Sequence, residues 1–150
     1  MAEEKLVLLV EDNEDDAALA LRAFRKSNIP HRIVLARDGV EALDYLFGSG
    51  GAVGGDHQET PAVILLDLKL PRVDGLEVLR RIRADARTKC LPVVIMTSST
   101  EEQDLIRGYD LGANSYVRKP VDFLEFVEAA RELGVYWLTL NEPPIPCGER

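Results

Sequence analysis

Five residues of three chemical kinds stand at the ends of apolar runs in this chain. Glu11 and Asp12 follow the run 6–10, Asp67 follows 62–66, Thr97 closes 92–97, and Lys119 follows 114–118. If the first and third runs are neighbouring strands, three carboxylates converge, and their mutual repulsion on leaving water calls for a divalent cation. An all-oxygen donor set suits Mg²⁺, which takes one or two carboxylates and keeps several waters. A carboxylate held beside such an ion stays charged and can act as a nucleophile toward phosphorus. The Lys119 ammonium and the Thr97 hydroxyl would then donate to phosphoryl oxygens.

Each of these residues also has an ordinary explanation. Acids are common at a helix N-terminus, which covers Glu11 and Asp12. Asp67 could initiate a turn, Lys119 could be a solvated loop residue, and Thr97 could be a plain strand threonine. Their joint placement on four of five strand ends is what favours a site.

The elements that must position them are legible from hydrophobic period. Five short runs rich in branched residues, 5–10, 32–36, 62–67, 92–97 and 114–118, read as strands. Between them, 13–27 carries Ala17, Leu21 and Phe24 on one stripe, 38–47 carries Val40, Leu43 and Phe47, and 74–83 carries Val78, Leu79 and Ile82. A fourth helix is predicted to open with Thr100 and Gln103 as a capping box and to stop at Gly112. The fifth begins near Asp122, with Glu125 three residues on, and runs to about Leu138. Alternating strands and helices predict a doubly wound α/β domain with five parallel strands and helices on both faces. In such sheets ligands bind beyond the carboxyl ends of the strands, where the five residues lie.

Composition narrows the class. A chain of 150 residues fits one domain, and 46% hydrophobic with 29% charged residues argues against disorder. Its 18 basic residues are outnumbered by 26 acidic ones, for a net charge of −8, so no nucleic acid partner is expected. The opening "MAEEK" is acidic and the run 6–10 is too short to span a bilayer, which predicts a cytoplasmic protein with no membrane association. Cys90 and Cys147 have no motif spacing, and His31 and His57 fall in no ligand pattern. The glycine-rich piece "GSGGAVGG" (48–55) contains no phosphate-loop sequence and reads as a connector.

Four stretches, "LLVEDN" (8–13), "LLDLKLPRVDG" (65–75), "PVVIMTSS" (92–99) and "GANSYVRKP" (112–120), resemble the receiver domain of two-component response regulators over about residues 5–138. That resemblance implies a flavodoxin-like strand order 2-1-3-4-5. It implies Asp67 as phosphoacceptor for a sensor histidine kinase, and Mg²⁺ held by Asp12, Asp67 and the main-chain carbonyl of Lys69, with Glu11 acting through solvent ligands. It also implies a switch formed by Thr97 and Tyr116 that alters the surface of the fourth helix, fifth strand and fifth helix. Two further implications are a cis Lys119–Pro120 bond and an influence of Lys69 and Ser99 on access of hydrolytic water.

The phrases "YDLGANSYVRKPVDFLEF" (109–126) and "VYWLTLNEPPIP" (135–146) most resemble the small stand-alone regulators paired with bacterial and cyanobacterial phytochrome kinases. Residues 1–138 are then the receiver domain and 139–150 a C-terminal extension, with no output domain expected. The fifth helix should place Phe123, Val127 and Ala130 in the core. Phe126, Leu133, Tyr136, Trp137 and Leu140, with Leu124 and Leu138, widen its apolar stripe beyond one core and predict a homodimer through this helix and the arm "NEPPIP". The competing expectation for the tail is that it folds back on its own domain. A signalling protein is expected rather than a turnover enzyme, and a phosphatase of the aspartate-nucleophile kind is disfavoured because Lys69 stands where its second Asp would be. A phosphorylation-independent adaptor or dimerisation module with the same fold is the alternative.

Overall fold

The computed structural model describes residues 4–48 and 60–144. Strands β1 (Lys5–Val10), β2 (His31–Ala36), β3 (Val63–Leu66), β4 (Val93–Thr97) and β5 (Ser115–Arg118) alternate with helices α1 (Glu14–Lys26), α2 (Gly39–Phe47), α3 (Gly75–Ala84), α4 (Glu102–Asp110) and α5 (Phe123–Val135). All pairings are parallel, in the order β2-β1-β3-β4-β5.

Period-two alternation sends neighbouring strand residues to opposite faces, and with helices on both faces the central strands are apolar throughout except at Lys5, which opens β1, and Thr97, which closes β4. Leu8, Val10, Ile64, Leu66 and Ile95 pack against Leu43 and Leu46 of α2 and Val78, Leu79 and Ile82 of α3. Val7, Leu9, Val63, Leu65, Val94 and Met96 pack on the other face against Phe24 of α1 and Phe126 and Ala130 of α5.

Helix starts follow short acceptors. Asn13, Asp38, Asp74 and Asp122 cap α1, α2, α3 and α5 with their side chains. Helix α4 departs from the Thr100 capping box: Glu101 is its N-cap and makes no side-chain cap bond. Ser99 ties the segment ahead of the helix to its first turn, since its Oγ accepts the Glu101 N–H at 3.3 Å and donates to Asp104 at 2.6 Å. The stop at Gly112 holds, with φ of 102°.

The C-terminal region corrects the predicted fifth-helix face. Phe123 is 59% exposed, whereas Phe126, assigned above to a dimer surface, is 3% exposed in the core. After Val135 the chain continues as a π-helical turn, Tyr136–Leu140, closed by Asn141 N–H on the Tyr136 carbonyl. The wider turn shifts the helical phase and brings Trp137 (8% exposed) and Leu138 inward against the α1/α5 core. Trp137 is therefore a core residue rather than part of an exposed stripe. Leu133 is half-buried, while Tyr136 and Leu140 remain exposed.

Among the described residues there is no cis peptide bond, so Lys119–Pro120 is trans, the lower-energy isomer, with the Lys119 N–H on the Thr97 carbonyl at 2.8 Å. The connector at 48–55 lies outside the described residues beyond Gly48, as do His57, Cys147 and the end of the arm from 145.

Candidate functional site

Strand register assembles the site. Val10 is paired with Leu66, so the next residues, Glu11 and Asp67, emerge side by side. Main-chain bonds carry the ladder one step further: Glu11 N–H reaches Ala36 and Asp67 N–H reaches Val10. Leu66 is paired with Ile95 and Thr97 with Arg118, which brings Thr97 and Lys119 to the same edge.

Carboxylate oxygens of Glu11, Asp12 and Asp67 all lie within 4.8 Å of one another. Lys119 Nζ donates to Glu11 Oε1 at 2.5 Å, Asp16 Oδ2 at 2.8 Å and Asp67 Oδ2 at 2.9 Å. Three carboxylates thus face one ammonium whose side chain is 6% exposed. Burial pushes the Glu11 carboxyl up to about 7, against the pull of Lys119 and with the push of the Asp67 charge. Burial alone would depress the Lys119 ammonium, but its bonds to Asp16, Glu11 and Asp67 outweigh this and hold it above its ordinary value. An excess of negative charge in an all-oxygen donor set, buried at Glu11 and Asp67 and open to solvent at Asp12, fits a hard divalent cation.

Thr97 is fully buried beside this cluster, and its Oγ1 accepts the Ser99 N–H at 3.3 Å. Asp104 of α4 receives both the Ser99 hydroxyl and, at 3.3 Å, the Lys69 ammonium. The Ser99 hydrogen bond, followed by Lys69, holds the Asp104 carboxyl below its usual range in spite of burial. Lys69 also offers its N–H to Asp67 Oδ1 at 3.3 Å. Tyr116 lies half-buried against α4 over Gly108, where an added Cβ would come within 3.3 Å of its ring. Its hydroxyl is buried without a hydrogen-bond partner, and burial raises its pKa.

The residues singled out in the sequence therefore meet: Glu11, Asp12, Asp67 and Lys119 at one point, with Thr97 and Tyr116 leading from it to α4. The chain belongs to the response regulator receiver domain family. The family model for the receiver domain matches residues 7–131.

This receiver is 44% identical over 143 residues to the probable methanogenesis regulatory protein FilR2 of Methanothrix harundinacea, covering 95% of this chain and 89% of that one. The Mn²⁺-bound response regulator Rcp1 superimposes with a TM-score of 0.85 at 34% identity, covering 94% and 99% of the two chains. The phosphorylated cyanobacterial phytochrome response regulator RcpA gives 0.87 at 36%, covering 95% and 100%.

Two residues here escaped the sequence reading. Asp16 was one acid among several in the first turn of α1, and nothing in spacing marks it as the one that turns toward Lys119. Asp104 of α4 carries no motif of its own. A helical-wheel reading placing it on the same face as Gly108 would have turned it inward.

Proposed function

We propose that this receiver accepts a phosphoryl group on Asp67 from a sensor histidine kinase, and that Mg²⁺ is required. Supporting this reading is one arrangement: a carboxylate cluster containing Asp67 with the Lys119 ammonium 2.9 Å from the acceptor. Held by Asp12, Asp67 and the Lys69 main-chain carbonyl, with Glu11 acting through its water ligands, the cation would neutralise charge on the transferring group. An Asp67 oxygen attacks phosphorus, the bond from phosphorus to the kinase histidine nitrogen breaks, and the electron pair leaves with that nitrogen. Lys119 and Thr97 donate to the phosphoryl oxygens. Thr97 moves toward them, and Tyr116 and α4 respond, which alters the surface formed by α4, β5 and α5.

The similarity to RcpA supports a phytochrome-type kinase as donor, and with it a cytoplasmic site of action. No helix among the described residues is long and apolar enough to cross a membrane. Residues 1–138 form the receiver domain in this reading and 139–150 an extension. Exposed Phe123, Leu124, Tyr136 and Leu140 support a homodimer through α5 and the C-terminal arm.

Incubation with acetyl phosphate and Mg²⁺ tests the acceptor. Labelling that disappears in Asp67→Asn supports the proposal. Unlabelled wild-type protein would instead favour the phosphorylation-independent adaptor.

A further inference from the structure

Of the three carboxylates that hold Lys119, two also belong to the cation cluster. Glu11 and Asp67 bring their oxygens within 4.8 Å of those of Asp12, while Asp16 is not part of that group. Cation binding draws on Glu11 and Asp67, two of the carboxylates that hold Lys119, and therefore competes with that ammonium for them. An ammonium this buried cannot be left unpaired without a large desolvation penalty.

The turn that follows β1 is built to supply the remaining partner. Asn13 N–H donates to Glu11 Oε2 at 3.1 Å, and the Asn13 side chain accepts the Asp16 N–H at 2.9 Å. One turn thus orients a cluster carboxylate on its near side and Asp16 on its far side, toward Lys119. Its other acids, Glu14 and Asp15, are exposed, and Glu14 faces Arg37 at 3.7 Å.

We propose that Asp16 is a positioning residue: it retains the Lys119 ammonium when Glu11 and Asp67 turn to the cation, so that divalent binding does not strand a buried charge. This rests on the receiver reading above. It assigns Asp16 no contact with metal or phosphoryl group.

Calorimetric titration of the full chain with Mg²⁺, without phosphodonor, tests it. Asp16→Asn should weaken Mg²⁺ binding by about tenfold, the scale of outer-shell effects on metal sites. Asp15→Asn removes an equal charge from the same turn and should change affinity less than about twofold. In a Lys119→Met background the Asp16→Asn effect should shrink to that of Asp15→Asn. Wild-type affinity in Asp16→Asn, equal losses in the two variants, or a full loss without Lys119 each overturn the proposal. Wild-type protein that binds no Mg²⁺ fails the receiver reading itself, which separates the two failures. Thermal melting of Asp16→Asn confirms that its loss is not one of folding.

Discussion

Lys119 Nζ lies 2.9 Å from Asp67 Oδ2, although the two residues are 52 apart in sequence and β4 runs between their strands. A long side chain crossing the end of the sheet makes that contact possible. It balances charge among carboxylates that otherwise repel.

Lys119→Met should leave those carboxylates without their cation. Breaking a buried pair by removing one partner costs about 3–5 kcal/mol. Urea unfolding in EDTA at pH 8 should show a loss of this size, and calorimetry should show tighter Mg²⁺ binding because a competitor for Glu11 and Asp67 is gone.

Glu11 gives the metal-free protein a pH dependence. Its folded pKa of about 7 exceeds its ordinary 4.5, so the folded state favours the protonated form. The associated stability is fully present below pH 4.5 and is lost as pH rises through 7. Between pH 5 and 8 in EDTA, wild-type stability should fall relative to Glu11→Gln by an amount on the order of 2 kcal/mol. Parallel profiles for the two proteins would contradict this assignment.

Gly75 sets how closely α3 approaches the acceptor loop. Its N–H reaches the Leu68 carbonyl at 2.9 Å, and an added Cβ would lie 2.2 Å from the Asp67 carbonyl oxygen. Gly75→Ala must push helix and loop apart, at about 1–3 kcal/mol. Denaturant midpoints would register the loss, and phosphorylation should slow because Asp67 is displaced.

Phe126 and Leu140 separate core from interface. Phe126→Ala should destabilise the fold by about 3–5 kcal/mol, leaving the subunit count of folded protein unchanged. Leu140→Glu, at a position 71% exposed, should leave stability within about 0.5 kcal/mol and shift a dimer toward monomer in light scattering. A wild-type monomer at tens of micromolar would remove the dimer from the account.

Residues 8–10, 63–66 and 93–96 were readable as strands because both faces of a parallel sheet are apolar, and the polar residue ending each run stood out against them. Asp38, Asp74 and Asp122 were legible as helix starts because a cap needs only local geometry. The misses share a different cause. Phe123 and Phe126 exchanged places because helical phase depends on where α5 meets α1, and the π-helical turn that buries Trp137 has no local sequence signature. Asp16 and Asp104 look like solvated helix acids until their partners Lys119 and Lys69 arrive from distant segments. Thr100 does not cap α4, which starts one residue later at Glu101, with Asp104 of the first turn held by the Ser99 hydroxyl.

Everything proposed for this protein depends on Asp67 accepting a phosphoryl group at a divalent-cation site. Mass mapping of protein treated with acetyl phosphate tests it most directly, in Mg²⁺ and in EDTA. In Mg²⁺ one phosphoryl group should appear on the peptide containing Asp67, with none in EDTA or in Asp67→Asn. A phosphoryl group on another residue, or on Asp67 regardless of Mg²⁺, would contradict it.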